Sequence, residues 1–190
     1  MNITETAVVG AYLVDVQEHA DERGSFARTF DARLFELAGL RSVVVQANLS
    51  TNRRAGTLRG MHFQRPPHAE AKLVRCTRGA VYDVAVDLRP SSPTFLAHVG
   101  VTLDAAGKRA LYVPEGCAHG YLTLTADAEV AYQVSAAYAP EAEGGVRWDD
   151  PALAIAWPRP VEVVSPKDAA WPTIDRARFA FGGPFGEDRT

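Results

Sequence analysis

The chain of 190 residues is 47% hydrophobic and 23% charged, which excludes an intrinsically disordered protein. Its 20 Lys+Arg and 23 Asp+Glu give a formal net charge of −3, so it lacks the basic excess of a general nucleic-acid or anionic-membrane binder. No apolar run approaches the roughly 20 residues that a membrane-spanning helix needs.

This length predicts one domain over residues 1–190, with a core at about 40–150 and an irregular tail at 157–190. Met1–Gly10 holds Glu5, no Lys or Arg and no long apolar stretch, so no secretory signal is read there. Cys76 and Cys117 lie far apart in hydrophobic contexts and fit no zinc or disulfide pattern. They are expected to be reduced and buried in a cytoplasmic protein.

In chain order the first predicted element is a short helix. Asp31 is its N-cap, Leu34, Phe35, Leu37 and Ala38 form an apolar stripe, and Gly39 is its C-cap. Strands follow. Val43–Ser50 splits into one face of Val43, Val45 and Ala47 and another of Val44, Gln46, Asn48 and Ser50. Ala71–Thr77 ends at the turn residue Gly79. Ala80–Leu88 alternates, with Tyr82, Val84, Val86 and Leu88 on one face and Val81, Asp83, Ala85 and Asp87 on the other. Further strands are predicted at Ala97–Leu103, Arg109–Val113, Gly120–Thr125 and Glu129–Ala137. From Trp157 the chain is Pro-rich and irregular, with a short helix predicted around Ile174–Phe179. Many short strands at this spacing read as an all-β sandwich or barrel.

Several residues are candidates for chemistry, each with an ordinary structural reading beside it. His62, within Leu58–Gln64, reads either as a hydrogen-bonded core histidine or as a titrating base. Lys72 reads as a strand-end lysine that snorkels to water, or as a cation on a barrel wall facing an anionic intermediate. Tyr132 alternates with Val130 and Val134, as a core tyrosine would. Asp168 reads as a surface loop residue. Arg53, Arg54, Arg59 and Arg65 form either a solvated loop or an anion clamp, since guanidinium pairs bidentately with phosphate. Pro114-Glu115-Gly116-Cys117-Ala118-His119 is similar to the second half of the cupin pattern, in which a tight turn aims a His into a barrel. The first half is imperfect, because Phe63-Gln64 follows His62 and only His68 and Glu70 stand nearby.

The chain also resembles the dTDP-4-dehydrorhamnose 3,5-epimerases. The resemblance is carried by Asp21–Phe26, Asn48–Ser50, Leu58–Gln64, Ala71–Arg75, Gly79–Arg89, Ser92–Phe95, Val113–Pro114, Ala118–Gly120, Tyr132, Tyr138–Glu141, Trp148–Pro151 and Ser165–Asp168. It covers nearly the whole chain, in order. It implies a cupin-type jelly-roll barrel with short peripheral helices, a homodimer, no metal, no organic cofactor, and a nucleotide-linked 4-keto-6-deoxyhexose as substrate. It implies further that His62 is the base that removes the proton alpha to the C4 ketone and that Asp168 orients it. Lys72 is implied to stabilise the enolate and Tyr132 to return a proton from the opposite face. Arg23 and Arg59 fall at pyrophosphate positions. Phe26, Gln46 and Asn48 fall on the nucleotide side, and Asp83, His119, Tyr138 and Glu143 at or near the sugar. The chain departs from the family pattern at Arg28, where Glu is usual, at Glu70, where Gln is common, and at Cys117 and Tyr121, which replace phenylalanines.

The residue types suit that chemistry. A proton alpha to a ketone is weakly acidic, so a base with a pKa near the working pH is needed. The resulting enolate needs fixed positive charge or donors, and one such donor is worth about 3–4 kcal/mol. Inversion needs an acid on the face opposite the base. The ketone supplies the acidity, and no Gly-x-Gly-x-x-Gly fingerprint is present. Two other readings are a metal-dependent cupin using His62, His68, Glu70 and His119, and a non-catalytic sugar-nucleotide-binding cupin. The second has no use for both a base and an opposed acid.

Overall fold

The computed structural model describes residues 1–174. The predicted helix around Ile174–Phe179 lies, apart from Ile174, outside the described residues. In chain order the strands are β1 (Asn2–Glu5), β2 (Tyr12–Asp15), β3 (Glu18–Asp21), β4 (Gly24–Ala27), β5 (Gln46–Asn52), β6 (Thr57–Gln64), β7 (Lys72–Arg78), β8 (Ala80–Asp87), β9 (His98–Asp104), β10 (Ala110–Val113), β11 (Cys117–Thr123), β12 (Ala128–Val134), β13 (Glu143–Gly145) and β14 (Val163–Val164). Helix α1 (Ala32–Leu37), helix α2 (Pro166–Ala169) and a 3-10 turn at Pro140–Ala142 complete the elements. No helix among the described residues is long and apolar enough to cross a membrane.

One sheet has the order β1-β2-β10-β7-β12-β5 and the other β13-β6-β11-β8-β9, with β14 added in parallel to β6. From β5 to β8 and again from β9 to β13 the chain changes sheet at every step, which is the jelly-roll arrangement. The central core is therefore shared. Val74, Leu111, Val113 and Val130 from the first sheet meet Val81, Ala85, Leu103, Cys117 and Tyr121 from the second.

The outer faces are covered as well. Strand β8 buries Val84 and Val86 on the side away from that core, against Val146, Leu153 and Ile174 of the C-terminal segment. Each fully buried aliphatic side chain contributes roughly 1.5–3 kcal/mol, so this cluster fixes the segment that leads to α2. On the first sheet the cover is α1. Asp31 caps it through its side chain and Phe35 is buried against Phe30 and Tyr112, with ring centroids 4.9 and 5.9 Å away. The predicted stripe is narrower than expected: Leu34 and Leu37 are exposed, and the C-cap is Ala38 rather than Gly39.

Seven predicted strands correspond to β5 and β7–β12, with shifted ends. The Val43–Val45 part of the first is not strand and is exposed. Its neighbour β12 ends at Val134, which pairs with Gln46, so Val43 and Val44 have no strand beside them. For the same reason the last predicted strand stops at Val134 instead of Ala137. Strand β6 was not anticipated: it is buried on both sides at Gly60–Met61 and Phe63–Gln64, which removes the alternation that marks a half-buried strand. Both cysteines are buried and free, and burial pushes the Cys117 thiol up to about 12.

Candidate active site

A cavity of about 430 Å³ is lined by residues of both sheets. Strands β5, β7 and β12 contribute Gln46, Asn48, Lys72, Tyr132 and Val134. Strands β6 and β13 contribute His62, Phe63, Gln64 and Glu143, and connecting segments add Glu70 and Tyr138.

His62 enters this cavity from the middle of β6. Its Nε2 lies 2.6 Å from Asp168 Oδ1. Local sequence explains how Asp168 arrives there. Ser165 caps α2 by accepting the Asp168 backbone N–H at 3.0 Å, and Pro166 occupies the first helical position. That single turn faces Asp168 inward, where it is buried. Its second oxygen accepts the Gly60 N–H at 3.2 Å. Burial alone would raise the carboxyl pKa. The His62 hydrogen bond and charge, with the Gly60 and Ser165 contacts, outweigh burial and hold it below the usual carboxylate range. Asp168 is thus an ionised acceptor that fixes the imidazole and leaves the other ring nitrogen to the cavity.

The close packing of β6 on β11 rests on two glycines. A Cβ on Gly60, whose φ is +121°, would lie 2.6 Å from the Gly120 Cα. One on Gly120 would lie 2.8 Å from the Arg59 carbonyl. The register shifts between His119 and Tyr121 at this point.

Lys72 is buried, and its ammonium is paired with the Glu70 carboxylate. Tyr132 stands opposite Asn48 on β5 and Val74 on β7. Burial pushes its phenol above the usual tyrosine range, the Glu70 carboxylate pushes it further, and Arg59 pulls it back. At the rim, Glu143 accepts from the Tyr138 hydroxyl at 2.9 Å and pairs with Lys167. The Lys167 ammonium lies 5.9 Å from the Trp171 ring centroid, and that ring meets His62 edge-on at 6.4 Å.

Of the expected site residues, His62, Lys72, Tyr132, Gln46, Asn48, Tyr138 and Glu143 therefore line one cavity, with Asp168 directly behind His62. Others lie outside its lining. His119 pairs in register with His62 on the adjacent strand, but its Nε2 is turned to Asp83 Oδ1 at 2.8 Å, and both side chains are buried. Arg59 donates from Nε to Asn52 Oδ1 at 2.8 Å. Arg23 is 84% exposed and pairs with Asp21, and Phe26 is 66% exposed, both on the β3–β4 hairpin. Arg53, Arg54 and Arg65 do not line the cavity either, and Arg65 donates to the Glu143 carbonyl.

The sequence reading did not anticipate four contributors. Gln64 donates to the His68 and Ala137 carbonyls and accepts the Ala139 N–H at 2.7 Å, pinning the loop that carries Tyr138. Glu70, Lys167 and Trp171 complete the wall and rim; the sequence marks Glu70 only as a departure from the family pattern and as a ligand in the metal-dependent alternative, and Lys167 sits inside a motif of the resemblance. The metal-ligand set of the alternative reading is not assembled. Among the described residues no three His, Cys, Asp or Glu side chains converge as ligands: His68 is exposed outside the cavity lining, 3.9 Å from Glu141, and His119 faces Asp83.

The family model described as dTDP-4-dehydrorhamnose 3,5-epimerase matches residues 5–176. The dTDP-4-dehydrorhamnose 3,5-epimerase of Salmonella typhimurium is 44% identical over 179 residues, covering 93% of this chain and 97% of that protein. The crystal structure of dTDP-6-deoxy-D-glucose-3,5-epimerase from Legionella pneumophila, in complex with dTDP-4-keto-L-rhamnose, superposes with a TM-score of 0.86 at 40% identity, covering 94% of this chain and 96% of that one. A 3'-monoepimerase from Streptomyces bikiniensis, solved in complex with dTDP as a His-to-Asn, Tyr-to-Phe double mutant, superposes with a TM-score of 0.83 at 36% identity, covering 90% and 86%.

Proposed function

The chain belongs to the dTDP-4-dehydrorhamnose 3,5-epimerase family of isomerases, and we propose that it epimerises a dTDP-linked 4-keto-6-deoxyhexose with His62 as base and Tyr132 as acid. The fold is that family's cupin-type jelly roll. The observation that carries the reading is the His62–Asp168 pair opening into the same cavity as Tyr132 and Lys72.

The imidazole takes the proton alpha to the C4 ketone, and the C–H electron pair moves into the enolate, leaving its charge on O4. Asp168 stabilises the imidazolium that forms and holds the ring in one tautomer. Lys72 supplies positive charge to the enolate oxygen in a largely buried wall, where a fixed charge acts more strongly than in water. Tyr132 then donates its hydroxyl proton to the carbanionic carbon from the other face, which inverts the centre. Burial and Glu70 keep its phenol protonated until that step. In the double mutant of the Streptomyces bikiniensis protein a His and a Tyr are replaced, separated by the same interval that separates His62 from Tyr132. No step routes through a metal or an organic cofactor.

The proposed assembly is a homodimer. Among the described residues the β3–β4 hairpin forms no strand pairing beyond its own two strands and is almost wholly exposed, and a two-stranded hairpin alone is marginal in water. It carries Arg23 and Phe26, which miss the cavity of their own chain. Among the described residues strand β5 is an open sheet edge with Leu49 exposed, preceded by exposed Val43, Val44 and Val45; such edges pair readily. A second copy seated there brings the hairpin's Arg23 and Phe26 to the nucleotide end of the site.

The test is proton NMR in deuterium oxide with dTDP-4-keto-6-deoxyglucose. Loss of the signals at C3 and C5 supports a 3,5-epimerase, and loss at one carbon supports a monoepimerase of the kind solved from Streptomyces bikiniensis. Absence of exchange at both carbons, with folded protein and intact substrate, overturns the reading.

A further inference from the structure

One charged group on the cavity wall neither gives nor takes a proton in the reaction just described. Glu70 lies two residues before Lys72, with its side chain buried on the cavity wall, and its carboxylate takes the Lys72 ammonium directly. We propose that Glu70 is a positioning residue of this site: it anchors the Lys72 ammonium on the cavity wall and balances its charge until the enolate forms. The proposal rests on the epimerase reading above.

The physical case begins with Lys72, which reaches the cavity from β7 between β10 and β12. A lysine at the wall of a largely buried pocket is flexible and strongly hydrated when free. Removing it from water without a counter-charge is costly, and an ion pair with further contacts offsets that cost. Glu70 provides the counter-charge in sequence-local geometry, so Lys72 is fixed before substrate enters. When negative charge develops on the enolate oxygen, the ammonium already faces it and needs no reorganisation.

The same carboxylate also bears on Tyr132, on the neighbouring strand β12 of the same sheet. Its negative charge raises the phenol, whereas Arg59 lowers it. Glu70 therefore keeps the proton on Tyr132 as well as holding Lys72. The other titratable groups facing this space are His62 on β6, with Asp168 behind it, and Tyr138 and Glu143 at the rim. Glu143 is engaged by Lys167 and by the Tyr138 hydroxyl. On the far side of Lys72, Arg41 and Tyr112 line a separate small crevice, and Arg41 is paired with Glu115.

Three substitutions separate anchoring from charge. Glu70→Gln keeps an acceptor for Lys72 and removes the charge. Glu70→Ala removes both, and Glu70→Asp keeps the charge on a shorter arm. Deuterium exchange and epimer yield are followed by NMR in the full-length protein across pH, alongside dTDP binding by calorimetry. The alkaline limb of epimer formation is expected to move down by about 0.5–1 pH unit in Glu70→Gln, as loss of a nearby like charge dictates. The ultraviolet titration of Tyr132, taken as the difference from Tyr132→Phe, should move with it. Glu70→Ala is expected also to lower kcat about tenfold with a smaller change in KM, and Glu70→Asp to recover part of that loss. Superimposable pH profiles for the wild type, Gln and Ala proteins would overturn the proposal. If the Ala protein does not fold, the near-isosteric Gln variant carries the test alone. Failure of the wild type to exchange deuterium marks instead a failure of the epimerase reading.

Discussion

His62 and His119 stand opposite one another on β6 and β11, yet each imidazole is held by a different carboxylate. His62 Nε2 meets Asp168 Oδ1 at 2.6 Å and His119 Nε2 meets Asp83 Oδ1 at 2.8 Å. Only the first pair opens into the large cavity. The second is buried away from that cavity, and the other oxygen of Asp83 has no hydrogen-bond partner among the described residues. Two chemically similar dyads thus take different roles: one is placed to exchange a proton with a ligand, and the other is placed to brace the sheet.

That contrast gives a first prediction. His119→Ala leaves the buried Asp83 carboxylate without its partner and should destabilise the fold by about 3–5 kcal/mol, read by urea unfolding. His62→Ala should abolish deuterium exchange into the sugar while dTDP binding survives, and the buried Asp168 it leaves behind keeps the Gly60 N–H. Undiminished exchange in His62→Ala would remove it as the base.

Tyr132→Phe separates the two halves of the reaction. Exchange at the first carbon should persist, because His62 and Lys72 are intact, whereas inverted product should vanish from the NMR spectrum. An epimer yield equal to the wild type would discard the acid role.

Asp168→Asn keeps the shape of the dyad but removes the charge that orients and stabilises the imidazolium. The exchange rate should fall by about 10²-fold or more. The wild-type pair also makes stability pH-dependent. The Asp168 carboxyl lies below its ordinary range when folded. Its contribution is therefore fully present above about pH 4 and is lost as the pH falls through the folded value. The unfolding free energies of wild type and Asp168→Asn, read by urea titration at each pH, should converge at low pH.

Gly60→Ala tests the β6–β11 approach. The new Cβ would sit in the left-handed backbone region, 2.6 Å from the Gly120 Cα and 2.8 Å from the His119 carbonyl. It should cost more than about 3 kcal/mol. Because Gly60 donates to Asp168, whatever folds should also exchange more slowly than the wild type.

Away from the cavity, Asp87 accepts from the Arg89 backbone and guanidinium, Ser92 and Thr94, at 2.5 to 3.0 Å. Burial favours its neutral form, but these donors hold its pKa low. Asp87→Asn should destabilise the protein by about 3 kcal/mol at neutral pH and by progressively less as the pH falls through the folded value of Asp87. Calorimetry at pH 7 and pH 3 would show this, and an equal loss at both would refute it.

The sequence by itself determined the all-β class, because alternation in β8 and the turn residues around it are local properties of the chain. It determined the Asp31 cap, and through motif resemblance it determined the family and pointed to seven of the residues that line the cavity: Gln46, Asn48, His62, Lys72, Tyr132, Tyr138 and Glu143. Other features were decided by the tertiary structure. Strand β6 is hidden from pattern reading because both its faces are covered, and only the packing of two sheets and a C-terminal segment creates that cover. The approach of Asp168 to His62, 106 residues away, depends on the segment anchored by Val146, Leu153 and Ile174. The same holds for Glu70: its type and position were legible, but its engagement with Lys72 was not, since spacing of two in an irregular segment entering a strand fixes no common face. Burial and pairing are properties of the assembled sheets, so the roles that depend on them appear only once the strands are in register.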